Sequence, residues 1–389
     1  MVRYKKYVAA SQHFGASNAI APVIAELLNL NKEVIILAHN QAEIKFKEPR
    51  WNFDFKTTNQ YDVSNELSAF NSQSMKKILD KAKPDFVLTG SSTERTFNGL
   101  EKSLILSTNE MNIPNAMVVD GWPDSEYRFN DYTNEGNLII PGKVFVVDKQ
   151  HKDLIIEQGI PSNIIKITGN PSFDEDRRQY EFLTENQLTN IKKQVGVEQN
   201  QKLIFYSGNA FKSHSEQETR GYWDYDNIIA INRTLKQNLD LDLKVIIRLH
   251  NRMIDDEPET VKEIEQYLSD EGDSHLTINY EKAPSNKELA FACDIFVTPF
   301  STDGVTAAIC NKLVLSLQGR DKNRLVTNDV GITYRVEGRI DSDKGVSYPS
   351  LSGIVNKLVK ETSYVKELCP NLQDFIPDGK SVERILAEI

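Results

Sequence analysis

The sequence predicts an α/β protein made of two doubly wound domains that face one central cleft. Three observations predict it. Short apolar runs alternate with helix-forming segments along nearly the whole chain, the pattern of parallel strands covered by helices. At 389 residues the chain is too long for one ordinary core. A polar segment between about Asp174 and Gln201 splits the alternation into two series.

The first series opens with the strand "KYVAAS", a helix from Ala16 to Leu30 and the strand "KEVIILAH". An aromatic-rich irregular stretch, Trp51 to Tyr61, precedes the helical segment "SMKKILDKA". "PDFVLTG", a helix from Thr96 to Asn112, "PNAMVVD", "KVFVVDK", a helix from Gln150 to Gln158 and "NIIKITG" complete it. The second series runs through "KLIFYSG", "LKVIIRLH", "LTINY", "DIFVTPF" and "LVLSL". Within it, Ile295 to Val297 reads as a strand covered on both faces, Val305 to Asn311 as a helix and Leu313 to Leu317 as the next strand, a β-α-β unit. The expected domains are residues 1–172 and 173–374, with 375–389 forming a C-terminal helix that packs back on the first. No hydrophobic repeat of roughly 20 to 50 residues is present, which argues against a solenoid.

A composition of 39% hydrophobic and 26% charged residues belongs to soluble globular proteins and excludes disordered or fibrous chains. The formal charge of −10 argues against duplex nucleic acid as a partner, because phosphate binding draws on dense Lys and Arg. No apolar run approaches the roughly 18 to 20 residues that span a bilayer, and "MVRYKKYVAASQHFG" lacks the apolar core of a signal peptide, so a cytoplasmic location is expected. Cys293, Cys310 and Cys369 are widely spaced and form no Cys-x-x-Cys or Cys/His cluster. They read as buried structural thiols rather than a disulfide framework or a zinc site.

In open parallel sheets ligands sit outside the carboxyl ends of the strands, so the functional residues are those that follow each strand. On the N-terminal side these are Ser11, Gln12, His13, Phe14 and Gly15; Ser91, Ser92, Thr93, Glu94 and Arg95; and Gly121, Trp122, Pro123, Asp124 and Glu126 after "AMVVD". On the C-terminal side they are Gly208 and Asn209; Arg248, His250 and Arg252; Lys282; and Ser301, Thr302, Asp303 and Gly304. Backbone amides at a helix start, with Arg248 or Lys282, suit a diphosphate. Carboxylates and a histidine opposite suit deprotonation of an incoming hydroxyl. The asymmetry predicts a donor nucleotide on the C-terminal domain and an acceptor on the N-terminal one.

Each residue has a plainer role beside this one. Ser301 or Thr302 caps the following helix; Glu94 is a first-turn acid completing a cap with Ser91 or Ser92. His250 and His13 pack or cap, and Asp120 braces the turn "DGWP". "DDEPE", Asp255 to Glu259, is a solvated acidic helix start rather than a metal site, and no metal is assigned. Neither G-x-x-x-x-G-K-[ST] nor G-x-G-x-x-G occurs at these turns, which argues against a P-loop enzyme or a dinucleotide oxidoreductase.

Taken in order, these segments resemble the nucleotide-sugar enzymes with two Rossmann-like domains called GT-B, which include many glycosyltransferases and the non-hydrolysing UDP-N-acetylglucosamine 2-epimerases. "ITGNPSFD", Ile167 to Asp174, is similar to the Thr-Gly-Asn segment with which such chains enter their second domain, and to the Gly-Asn-x-x-Phe-Asp of Kdo-type transferases. "VIIRLHNR" resembles the Arg/Lys-x-His strand end, and "PFSTDGVTAAICNKLVLSL" the donor-diphosphate loop, its helix and a Lys-x-Val opening the next strand. "VLTGSSTERTF" sits where the epimerases have His-Gly-Asp-Thr-Thr, and "VVDGWPDSEYRF" where they have Val-Glu-Ala-Gly-Leu-Arg. Ser91 thus stands in place of the Asp and Asp120 in place of the Glu, and the Ser-Gly-Gly-x-x-Glu-Glu of the uridine-diphosphate loop is missing.

The resemblance therefore implies a metal-independent glycosyltransferase of the GT-B type, needing no cofactor and using a nucleotide sugar as substrate. The acceptor is a hydroxyl on a glycan, a lipid-linked molecule or another compound, and a lipid-linked acceptor would bring the chain to the inner face of the membrane. Gly208, Asn209, Arg248, His250, Lys282, Ser301, Thr302, Asp303 and Gly304 hold the donor. Glu94 is the leading general base, with Asp120 in reserve and His13 third. The rivals are a nucleotide-sugar 2-epimerase, which needs no acceptor, and a nucleotide-sugar-binding protein without catalysis.

Overall fold

The computed structural model describes residues 3–94, 96–122, 125–209, 224–281, 283–299, 301–318, 332–341, 345–361, 363–373 and 375–389. The chain divides into two compact units, Met1–Glu175 with Pro377–Ile389, and Asp176–Ile376. The first boundary falls inside a helix, Pro171–Glu181, which carries the polar segment expected to separate the domains.

In the N-terminal unit six parallel strands, β1 (Lys6–Ser11), β2 (Glu33–Ala38), β3 (Phe86–Thr89), β4 (Asn115–Val118), β5 (Val144–Val146) and β6 (Ile165–Ile167), lie in the order β2-β1-β3-β4-β5-β6. Strand β1 pairs on both edges, with Ala9 opposite Ile36 and Leu88, and is covered on both faces. Its run of small and apolar residues is the composition such a strand needs. The chain passes from β1 to β2 on one side and later returns to β3 on the other. The turns after β1 and β3 therefore flank the point where the strand order reverses.

Helix α1 (Phe14–Asn29) follows β1 directly and buries Ala16, Ala19, Ile20, Val23, Ile24 and Leu27 on one stripe. Four more helices follow: α2 (Gln41–Phe46), α3 (Ser72–Ala82), α4 (Gly99–Glu110) and α5 (Ser125–Arg128). Then come α6 (Lys149–Glu157) and α7 (Pro171–Glu181). Helix α3 starts on a capping box between Asn71 and Ser74, and α6 on Asp148, which accepts from the His151 N–H at 2.7 Å. The helix expected from Thr96 begins three residues later, at Gly99. The Asn98 side chain holds the preceding loop away, donating to Asp131 Oδ1 (2.8 Å) and accepting from the Tyr132 N–H (2.9 Å).

In the C-terminal unit β7 (Lys202–Ser207), β8 (Leu243–Arg248), β9 (Leu276–Ile278), β10 (Ile295–Thr298), β11 (Leu313–Ser316) and β12 (Tyr334–Arg335) lie in the order β12-β11-β10-β7-β8-β9. The order again reverses beside the first strand, between β7 and β10. Its described helices are α8 (Glu185–Gln194), α9 (Asp224–Gln237), α10 (Asn251–Asp256), α11 (Pro258–Glu271), α12 (Asn286–Ala292), α13 (Thr302–Ile309), α14 (Leu351–Lys360) and α15 (Tyr364–Leu368). A small hairpin, β13 (Arg339–Asp341) with β14 (Gly345–Ser347), completes it. Phe205 and Phe296 meet edge to face at 5.2 Å in its core. Among the described residues no helix is long and apolar enough to cross a membrane.

The last helix, α16 (Ser381–Glu388), belongs to the N-terminal unit. Ile385, Leu386 and Ile389 join the core formed by Ile20, Val23 and Ile24 of α1. Truncating Ile385 to alanine is predicted to destabilise this unit by about 2–4 kcal/mol. Hydrogen exchange should quicken in α1 while β7 and β10 keep their protection; unchanged exchange in α1 would show that α16 adds nothing to that core.

Candidate active site

In the N-terminal unit the turn after β1 presents Gln12 and His13, and the loop after β3 presents Glu94. His13 Nε2 lies 3.0 Å from Glu94 Oε1, and Gln12 Nε2 donates to the same oxygen at 3.2 Å. The Leu100 N–H donates to Gln12 Oε1 (2.7 Å) and fixes the orientation of that amide. Two lone pairs cannot face each other at 3.0 Å, so a proton lies between the imidazole and the carboxylate. The His13 and Glu94 side chains are 30% and 20% exposed, enough for an incoming hydroxyl to reach them. Glu94 is thus not a helix-capping acid: α4 begins five residues later, and its carboxylate is turned to His13 and Gln12.

Two charged residues that no strand end or motif marks out lie beneath this pair. Glu101 is fully buried and accepts the Gln12 backbone N–H on Oε1 at 2.8 Å. Burial pushes its carboxyl above the usual range, partly opposed by the nearby charge of His13. Lys102, also fully buried, donates to the carbonyls of Glu94 (3.3 Å), Tyr127 (3.1 Å) and Asn130 (3.4 Å) and lies over the Tyr132 ring. Desolvation lowers its ammonium to about 8. Gly99 makes this packing fit, for its φ is +66° and a Cβ there would stand 2.7 Å from Gln12 Oε1.

Asp120 is committed elsewhere. Its Oδ1 accepts from the buried Arg128 guanidinium and from Ser91 Oγ (3.1 Å), while Asn170 Nδ2 donates to its carbonyl (2.7 Å). Oδ2 lies over the first turn of α1, where a Cβ on Gly15 would come within 2.0 Å of it. These contacts are those of a brace for the turn, and they occupy the carboxylate read as the reserve base. The side chain ties β3, β4, α5 and α1 together.

In the C-terminal unit the turns after β7 and β10 meet. Ser207 Oγ lies 3.3 Å from Ser301 Oγ and 3.4 Å from Asp303 Oδ2, and Asn286 Nδ2 donates to Asp303 Oδ2 (3.1 Å). Ser301 is the N-cap of α13: its Oγ accepts the Asp303 N–H (3.2 Å), and its own N–H donates to Thr298 Oγ1 (2.9 Å). Burial raises the Asp303 carboxyl despite its hydrogen bonds to Asn286, Ser301 and Ser207. Thr302 is the first residue of α13 and brings its backbone N–H to the helix start.

Other expected donor contacts come out differently. Arg248 is 9% exposed and turned inward, donating to Asn286 Oδ1 (3.0 Å), Asn279 Oδ1 (3.1 Å) and the Pro284 carbonyl (2.5 Å). It positions Asn286, which in turn holds Asp303. Gly304 faces the sheet, where a Cβ would meet Thr298 Cγ2 at 3.3 Å and Val314 Cγ1 at 3.4 Å, so its lack of a side chain serves helix packing. The Gly208 N–H donates to the Arg248 carbonyl (2.9 Å), and the Asn209 N–H to Asp224 Oδ2 (3.0 Å). His250 is exposed at the end of β8, and Lys282 lies outside the described residues. Asp255 and Asp256 end α10, and Glu259 opens α11. The three cysteines are buried, which pushes each thiol up to about 12.

This fold is shared with nucleotide-sugar enzymes of two kinds. The UDP-GlcNAc 2-epimerase of Neisseria meningitidis, solved with UDP-GlcNAc, superposes with a TM-score of 0.70 at 17% identity, covering 98% of each chain. A glycosyltransferase of Rickettsia africae gives 0.65 at 14% identity over 99% of this chain and 97% of that one. HepE of Anabaena, solved with UDP and glucose, gives 0.64 at 14% identity over 99% of each. The two parallel six-stranded units are therefore those of the GT-B fold. In sequence, 123 residues are 31% identical to the processive diacylglycerol β-glucosyltransferase of Staphylococcus epidermidis, a stretch that makes up 30% of this chain and 27% of that protein. No family model matches the chain.

Asp224 anchors the turn after β7 through Asn209 and the Tyr206 hydroxyl, and its burial raises its pKa to about 7 from 3.8. Between those values the folded unit keeps a proton that the unfolded chain has lost. Its contribution therefore makes stability fall as pH rises from about 4 to about 7 and level off above. Asp224→Asn removes that slope. Measured by urea unfolding, the variant's stability relative to the parent should improve across this window and then stay constant; a pH-independent offset would mean that Asp224 titrates normally.

Proposed function

We propose that the chain is a metal-independent glycosyltransferase that moves a sugar from a nucleotide-diphosphate donor to an acceptor hydroxyl. The observation that carries this reading is the hydrogen-bonded His13–Glu94 pair at the strand-order reversal of the N-terminal unit. Transfer needs one base. The acceptor oxygen bonds to the anomeric carbon as its proton passes to Glu94, the bond from that carbon to the diphosphate oxygen breaks, and the nucleoside diphosphate leaves. The C-terminal unit meets the diphosphate with the positive end of α13, the Thr302 N–H and the Ser207 hydroxyl. The partial likeness to a diacylglycerol glucosyltransferase and the UDP and glucose held by HepE support this donor class.

Epimerisation at C2 is the second reading, favoured by the likeness to the Neisseria epimerase and to one from Methanocaldococcus jannaschii, with a TM-score of 0.66. Such a reaction removes a proton from one face of the sugar and returns one to the other, which asks for two acid–base groups. Asp120, in the position of the epimerase Glu, is engaged by Arg128 and Ser91. The His13–Glu94 pair joins its two groups in one hydrogen-bonded acid–base system, and one such system suits transfer.

The test is Glu94→Gln, which keeps the size of the side chain and cannot take the proton. Turnover is predicted to fall by ~10² or more while donor affinity stays within a few-fold. Transfer that survives the substitution would remove Glu94 from the base role. Interconversion of two free nucleotide sugars with no acceptor present would replace transferase by epimerase.

A further inference from the structure

We propose that Glu101 is a positioning residue for the His13–Glu94 pair, orienting it through Gln12 and holding the shared proton on the imidazole by its charge. The inference rests on the role given to that pair above, and on geometry. Glu101 Oε1 accepts the Gln12 backbone N–H, the Gln12 side chain donates to Glu94 Oε1, and the Leu100 N–H fixes the same amide. Its second oxygen, Oε2, is buried with no hydrogen-bond partner. A buried carboxylate oxygen left unpaired is a substantial cost. A capping hydroxyl or amide could satisfy the Gln12 N–H without that cost; a carboxyl there can also ionise, which the nearby His13 favours against the desolvation, and so set a charge under the pair that a neutral acceptor would not.

The neighbouring Lys102 is built in the opposite sense. It grips the Glu94 carbonyl from the same turn of α4 and sets a positive charge under the loop that carries the base. Among the described residues, the charged groups facing the His13 turn are Glu94 from the loop after β3, Glu101 from α4, and Asp120 with its partner Arg128 across the first turn of α1, with Lys102 one step further off beneath the Glu94 loop. Removing Glu101's charge should weaken proton binding at His13, and removing Lys102's should strengthen it.

The experiment is an NMR titration of the His13 ring in the full chain, in Glu101→Gln and in Lys102→Met. In Glu101→Gln the side-chain amide can still accept the Gln12 N–H, and the His13 midpoint should fall by about 0.5 pH unit or more. In Lys102→Met it should rise. With a donor and acceptor in hand, kcat of Glu101→Gln should fall about tenfold, with the acid limb of its pH profile displaced and donor KM unchanged. A Glu101→Gln midpoint that stays at the wild-type value or rises would overturn the proposal. If Glu101→Gln does not fold, the carboxyl 13C signal of Glu101 in the unaltered chain decides: a group that is ionised while His13 holds its proton supports the proposal, and one that stays protonated throughout overturns it. The titration needs no substrate, so a chain that transfers no sugar would sink the transferase reading while the His13 shifts still judge Glu101.

Discussion

A strand paired on both edges and covered on both faces has no room for a polar side chain until it ends. Both units of this protein are built on that constraint. In β1 the residues from Tyr7 to Ala10 are fully buried, and the first groups with chemistry are Gln12 and His13, at the turn into α1. In β7 and β10 the apolar run likewise lasts to the final residue or two before Ser207 and Ser301. Because the strands are parallel, all these turns fall on one edge of each sheet, and the reversal of strand order brings two of them side by side. The His13–Glu94 and Ser207–Ser301 contacts follow from topology as much as from the residues themselves.

The turn into α1 also exposes a backbone N–H that cannot reach water, and the chain satisfies it with a carboxylate rather than a neutral group. That choice buries Glu101 and, one residue on, Lys102. Burying charged groups rarely adds stability over apolar ones of the same shape. Here the two residues hold Gln12 and the Glu94 carbonyl from one turn of α4. The C-terminal unit repeats the device with Arg248, which reaches Asp303 only through Asn286, and with Asp224, which anchors Asn209.

The strands and their order along the chain were legible in the sequence because burial on both faces leaves uninterrupted apolar runs. Positions just after each strand were legible for the same reason, and His13, Glu94 and Ser301 lie there; Ser207, the last residue of β7, was counted within the strand and passed over for Gly208 and Asn209. What the residues do was less legible, since it depends on partners far away in the chain. Glu101 lies 89 residues from the amide it accepts, and a Glu-Lys sequence in the first turn of a helix looks like a solvated face. Arg248 looked like a cation for a diphosphate, and its partners Asn279, Pro284 and Asn286 lie about 30 or more residues past β8, the last of them at the start of α12, at positions that carry no such signal. Asp120 looked available as a base until Arg128, in a short helix that the apolar pattern does not mark, was placed against it. The start of α4 was misplaced because Asn98 bonds to Asp131 and Tyr132, again a long-range effect.

In the proposed reaction one acid–base pair serves transfer to a hydroxyl, and the sugar's own C–H bonds are left alone. Incubation in D2O with a nucleotide sugar that raises the protein's melting temperature, followed by mass and NMR analysis of the recovered sugar, addresses it directly. A transferase leaves the sugar with no deuterium at C2, and releases nucleoside diphosphate in step with glycosylated acceptor when an acceptor is supplied. Deuterium entering C2 at a rate that depends on the protein would contradict it.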